Sequence, residues 1–211
     1  SGSCRVIAGF DAVYFHLSGQ RVFLPTVQDD ASLRREREKL EIFGDDSHRL
    51  DIARPQPVTV PVENWEVMDD WRLLDTSISG LRISRPIKDG ARMGAGVLVA
   101  IQAEKNAGFT IGCVRWALRQ DESSLAVGIQ LFPGVVQAIV ARLMEPGRTL
   151  SRPGFLIAAN EAAGEPASLV LPVGSFQLGR RIEIMQQAVK MATLTHLVSY
   201  GSEFERCTYE N

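Results

Sequence analysis

Trp71-Arg72-Leu73-Leu74-Asp75-Thr76-Ser77-Ile78-Ser79-Gly80-Leu81-Arg82-Ile83 is the stretch on which the fold turns. An apolar run of strand length enters a corner of short polar side chains and leaves through Gly80 into a second apolar run. This is the pattern of a β-hairpin. Within the corner, Asp75 and Ser77 carry side chains that hydrogen-bond to nearby backbone, and Gly80 tolerates a positive φ or the close approach of a ligand.

The same punctuation recurs on both sides. Strands are expected at Val58–Val60, Trp71–Asp75, Leu81–Ser84, Val97–Gln102, Phe109–Leu118 and Ala126–Phe132, separated by Gly, Asn, Asp and Pro. Short, evenly spaced strands with little helical period point to an antiparallel barrel or sandwich, not to βαβ units. After Met144-Glu145-Pro146-Gly147 a second series follows at Gly154–Ala158, Ser168–Pro172, Arg181–Met185, Lys190–Leu197 and Phe204–Tyr209, which predicts a second, smaller β unit. Upstream, Val13-Tyr14-Phe15-His16-Leu17 before Ser18-Gly19-Gln20 reads as a strand entering a turn, with Val22-Phe23-Leu24 as its return. Asp29-Asp30-Ala31-Ser32 supplies carboxylates and a cap for a helix over Leu33–Phe43, ended by Gly44. Pro55, Pro57 and Pro61 then favour an extended linker. The chain is therefore expected to be all-β: residues 1–56 an N-terminal extension and linker with one helix, 57–144 a barrel, and 145–211 a small C-terminal β unit.

Composition narrows the function classes. Of 211 residues, 45% are hydrophobic and 23% charged, the balance of a globular chain. Lys+Arg 23 against Asp+Glu 25 leaves a net charge of -2, which disfavours a protein that coats DNA. Cys4, Cys113 and Cys207 are too few and too scattered for a disulfide framework or a Cys-rich zinc site, so a reducing, cytoplasmic setting is expected. The charge-free stretch Ala126–Ala141 is interrupted by Gly128, Gln130, Pro133, Gly134 and Gln137, so no bilayer insertion is expected. The opening Ser1-Gly2-Ser3, in place of Met, is expected to be an engineered boundary before a segment of a longer protein.

Catalytic patterns are sparse. His16, His48 and His196 lack metal-ligand spacing, and there is no G-x-S-x-G elbow, P-loop or strand-following G-x-G-x-x-G. Asp45-Asp46 and Asp69-Asp70 sit beside turns, where capping explains them. An enzyme and a metal cofactor are not expected. Trp65, Trp71 and Trp116 read as core or sheet-face residues, with Trp65 or Trp71 placed to stack a base if either stands at a barrel mouth. On chemistry alone the corner at Asp75–Gly80 has two readings. It is either a self-capped hairpin or a ligand corner whose carboxylate suits paired N–H donors such as those of guanine.

Asp75-x-Ser77-x-x-Gly80, followed by Leu81-Arg82-Ile83, resembles the D/N-x-S-x-x-G signature of PilZ domains, the bacterial receptors for cyclic di-GMP. Gly96–Ile101, Ile111–Trp116 and Val127–Leu131 resemble the next three strands of that barrel, so the resemblance runs from Pro57 to about Arg142. It implies a regulatory binding module in which Asp75, Ser77 and Gly80 receive a guanine. The family's second motif, R-x-x-x-R, falls on Arg49-Leu50-Asp51-Ile52-Ala53-Arg54, one residue longer; by resemblance Arg49 and Arg54 hold phosphate and purine face. One extra residue in an extended segment turns a side chain to the opposite face. The resemblance implies a signal in which the ligand orders the linker and repositions the flanking unit. The alternative is a degenerate PilZ-like domain that binds no nucleotide and serves as a protein-interaction scaffold. The C-terminal unit is expected to cover a barrel edge or to present a surface to other domains of a longer parent protein or to a protein partner. Barrel edges also allow a homodimer.

Overall fold

A computed structural model of the chain describes residues 2–19, 27–29, 68–77, 79–87, 93–103, 107–186 and 188–211. The expected helix over Leu33–Phe43, the linker, and the strands at Val22–Leu24 and Val58–Val60 lie outside the described residues.

The first strand, β1 (Ser3–Ala8), stops at Gly9, whose φ of 97° turns the chain into helix α1 (Phe10–Leu17). A strand was expected over Val13–Leu17, so this is a correction. β-branched and aromatic residues suggest strand, but Phe10, Val13, Tyr14 and Leu17 stand at i, i+3, i+4 and i+7, and burial of that stripe overrides propensity. There follow β2 (Val27–Asp29), β3 (Met68–Thr76), β4 (Gly80–Pro86), β5 (Leu98–Gln102), β6 (Thr110–Arg119) and β7 (Ser124–Leu131). The second series comprises β8 (Val136–Glu145), β9 (Arg148–Ile157), β10 (Ser168–Pro172), β11 (Arg181–Met185), β12 (Val189–Tyr200) and β13 (Phe204–Glu210).

Among the described residues every strand pairing is antiparallel, and the all-β expectation holds. The first barrel closes in the order β1-β3-β4-β7-β6-β5, with β5 returning to β1 at Val6↔Ile101. The second closes in the order β8-β9-β10-β13-β12-β11, sealed by β11 on β8 at Ile182↔Leu143 and by β9 on β10 at Leu169↔Leu156. Strand β2 adds to the start of β9, at Val27↔Leu150. Pairing divides the chain differently from the expected 57–144 and 145–211. The first barrel cannot close without β1, from the region read as an extension, and the second begins at Val136. The expected small C-terminal unit is thus a closed six-stranded barrel in its own right.

Three apolar clusters explain how the barrels hold. Val6, Trp71, Ile83, Val99, Ile101, Val114 and Val127 fill the first barrel, and Ile139, Leu143, Leu169, Leu171, Ile184 and Leu194 fill the second. The third cluster lies between them. There Ile7, Leu98, Ala100 and Ile111 meet Phe155, Ile157, Val170 and Phe204, with α1 wedged in: Phe10 and Tyr14 set their rings 5.2 and 5.9 Å from that of Phe155. Strand β5 is consequently buried at all five positions, with Val99 and Ile101 facing its own barrel and Leu98 and Ala100 facing the other. The β12–β13 turn completes the joint, as the Ser202 N–H donates to the Gly96 carbonyl and the Leu98 N–H donates to Glu203.

All three cysteines are free and buried. Burial pushes the Cys4 thiol up to about 11; burial, reinforced by the Glu205 carboxylate, pushes that of Cys207 to about 12. Because the thiolate is the reactive form, native protein is expected to react with an aromatic disulfide reagent far more slowly than protein unfolded in urea. Rapid release of chromophore from the native chain would contradict this burial.

Candidate functional site

Register assembles a site on the outer wall of the first barrel. Asp75 on β3 pairs opposite Arg82 on β4, Arg82 opposite Gly128 on β7, and Gly128 opposite Trp116 on β6, so four residues form one row across the sheet. Two irregularities set what this row presents. Pairing shifts between Leu73 and Asp75 on β3, and between Val114 and Trp116 on β6. Strict alternation would turn one of Arg115 and Trp116 inward, but an extra residue in the strand lets both face out while Val114 stays in the core.

Gly128 is required by this geometry, because a Cβ there would fall inside the Trp116 indole. The ring packs directly on bare backbone, leaving Trp116 partly exposed as a platform. Around it opens a cleft of about 520 Å³ lined by Asp75, Ser77, Arg82, Arg115, Trp116 and Gln130 among others. Among the described residues no three His, Cys, Asp or Glu side chains converge as a metal site would need.

The polar corner is partly self-capped. The Gly80 carbonyl accepts from the Ser77 N–H at 2.7 Å and from the Ser77 hydroxyl at 3.1 Å, while Ser79 accepts from the Leu131 N–H at 2.9 Å. Having donated its proton, the Ser77 oxygen keeps lone pairs to accept another donor, as does the exposed Asp75 carboxylate. Gly80 is needed for a different reason from the one expected. It is not among the positive-φ glycines; instead an added Cβ would lie 2.8 Å from the Ile129 carbonyl oxygen, so the neighbouring strand, not a ligand, excludes a side chain.

Asp75, Ser77 and Gly80 therefore line one cleft, whereas Arg49 and Arg54 lie outside the described residues, as does Trp65. Trp71 is corrected. It is buried in the barrel core beneath the Arg85 guanidinium, 4.8 Å from its ring centre, and no ligand can stack on it. Among the described residues, the tryptophan that faces the cleft is Trp116. Arg82, Arg115 and Gln130 line the cleft as well, outside the D-x-S-x-x-G pattern. Gly128, a glycine inside an apolar strand, is the signal that could have found the platform, since such glycines mark close approach. A second cleft, about 610 Å³, runs between the barrels and is lined by Gly96, Leu197, Tyr200 and Arg115, so Arg115 borders both. Burial raises the Cys113 thiol at its floor, opposed by the adjacent Arg115 guanidinium.

Fold and site together define a two-barrel β protein with an open, polar, aromatic-floored cleft on its first barrel. Residues 139–211 match the family described as the FimW C-terminal beta-barrel domain. The match begins within β8 and ends with the chain, covering almost all of the second barrel and none of the cleft on the first. No curated protein and no solved structure matches the chain.

Proposed function

We propose that the chain is a regulatory binding module of PilZ type whose cleft receives cyclic di-GMP. The observation that carries this reading is the convergence of two acceptor groups, Asp75 and Ser77, with the Trp116 platform in one cleft. Guanine presents N1–H and an exocyclic amine on one edge and a broad π face, which are the complements of a carboxylate, a hydroxyl oxygen and an indole. The cleft volume falls in the ~300–1,000 Å³ range of small-molecule sites. The apolar joint makes a change in barrel–barrel angle costly, so ligand binding is read at the cleft wall itself.

Titration calorimetry with cyclic di-GMP, with GTP as control, tests the reading. Micromolar binding, about -8 kcal/mol, that Asp75→Ala weakens about tenfold or more is expected. A second reading, a PilZ-like scaffold without a nucleotide, is favoured by the full account that hairpin geometry already gives of Gly80 and of the Ser77 proton. No heat and no thermal shift with cyclic di-GMP would leave the scaffold in place.

A further inference from the structure

We infer that the first barrel carries its own phosphate-binding pair, Arg82 and Arg115, so that the cleft does not depend on Arg49 and Arg54; this rests on the cyclic di-GMP reading above. Arg82 stands in the row beside Gly128, the position with no side chain, and Arg115 directly precedes Trp116 at the β6 irregularity. Arg82 on β4 and Arg115 on β6 thus flank β7, whose Gly128 the indole covers, and both line the cleft.

Charge supports the assignment. Among the described residues neither guanidinium is held in an ion pair, whereas those of Arg142, Arg148, Arg180 and Arg206 are. Among the described residues lining the cleft, Asp75 is the one carboxylate that opposes them. A cyclic purine dinucleotide carries two phosphodiester charges, which two guanidiniums match one for one once Asp75 is engaged by a base edge. Arginine suits this place because its planar fork meets phosphate oxygens and lies flat beside an aromatic face. The strand irregularity adds a structural reason. Without it Arg115 would follow Val114 in alternation, and Trp116 would point inward, so arginine and platform could not be presented together.

The test is calorimetry on the full chain with cyclic di-GMP as the probe, comparing the parent with Arg82→Ala, Arg115→Ala, Arg115→Lys and the double variant Arg49→Ala/Arg54→Ala. Both positions are on the outer wall, and thermal midpoints check that each variant is folded. Expected are losses of about tenfold or more for each alanine at 82 and 115, partial recovery with Arg115→Lys, and less than about threefold change when Arg49 and Arg54 are removed. Parent-like binding by the Arg82 and Arg115 variants, with binding lost in the Arg49/Arg54 variant, would overturn the inference while leaving the receptor reading intact. Absence of binding by the parent chain would overturn both.

Discussion

Replacing Phe155 by alanine is expected to lower the free energy of unfolding by about 3–5 kcal/mol, the usual cost of deleting a buried aromatic ring. The ring is fully buried where the two barrels and α1 meet, edge-on to Tyr14 and tilted against Phe10. Its neighbours Ile157, Val170 and Phe204 sit on strands of a closed barrel and cannot collapse into the space, so a cavity persists. The loss should also loosen the joint. Urea unfolding followed by both tryptophan fluorescence and circular dichroism would show a lowered midpoint and transitions that no longer coincide. All three tryptophans precede the second barrel, at positions 65, 71 and 116, so fluorescence reports on the first part of the chain alone. A cost under about 1 kcal/mol with coincident transitions would mean that the cluster between the barrels contributes little.

The second large effect concerns the ion pair at the same joint. Arg206 is buried, with its Nη2 donating to Glu165 at 2.8 Å, its Nε donating to the Ser168 hydroxyl at 3.0 Å, and its guanidinium 4.9 Å from the Phe132 ring centre. Removing either partner is not equivalent. Glu165→Ala strands a guanidinium in the interior, at a cost of about 2–4 kcal/mol, towards the lower end of the range for broken buried pairs because Glu165 is itself 34% exposed and water shares its charge. Arg206→Met leaves a carboxylate that solvent can reach and keeps an apolar chain against Phe132; the remaining penalty is the unpaired Ser168 hydroxyl, about 1–2 kcal/mol. Chemical denaturation of the two variants should therefore rank Glu165→Ala as the more destabilised. The reverse order would show that the arginine acts through packing and not through its charge.

Particular residues show what was legible. The hairpin corner at Asp75–Gly80 was readable because short polar side chains and glycine between two apolar runs have few other uses, and the structure puts all three residues at one cleft. The strands Leu98–Gln102, Thr110–Arg119 and Ser124–Leu131 fell close to where β-branched residues and turn signals put them. Helix α1 stands where β-branched and aromatic residues favour a strand, and only its i, i+3, i+4, i+7 stripe speaks for a helix. The role of Ser3–Ala8 had no local signal at all. Its pairing with β3 and β5 spans more than sixty and more than ninety residues, and which strand closes a barrel is settled by the others already in place.

Local chemistry was thus enough to specify strands, turns and the acceptor corner, since backbone preference and side-chain hydrogen bonding act within a few residues. Which side of a strand is inside, and what stands beside it, belonged to the tertiary structure. Leu98 and Ala100 are buried because α1 and the second barrel cover their face, and Arg115 and Trp116 look outward together only because the register with β7 slips between Val114 and Trp116. The row from Asp75 through Arg82 and Gly128 to Trp116 joins positions far apart in the chain. Strand pairing is non-local, so the corner could be seen in sequence while the cleft around it could not.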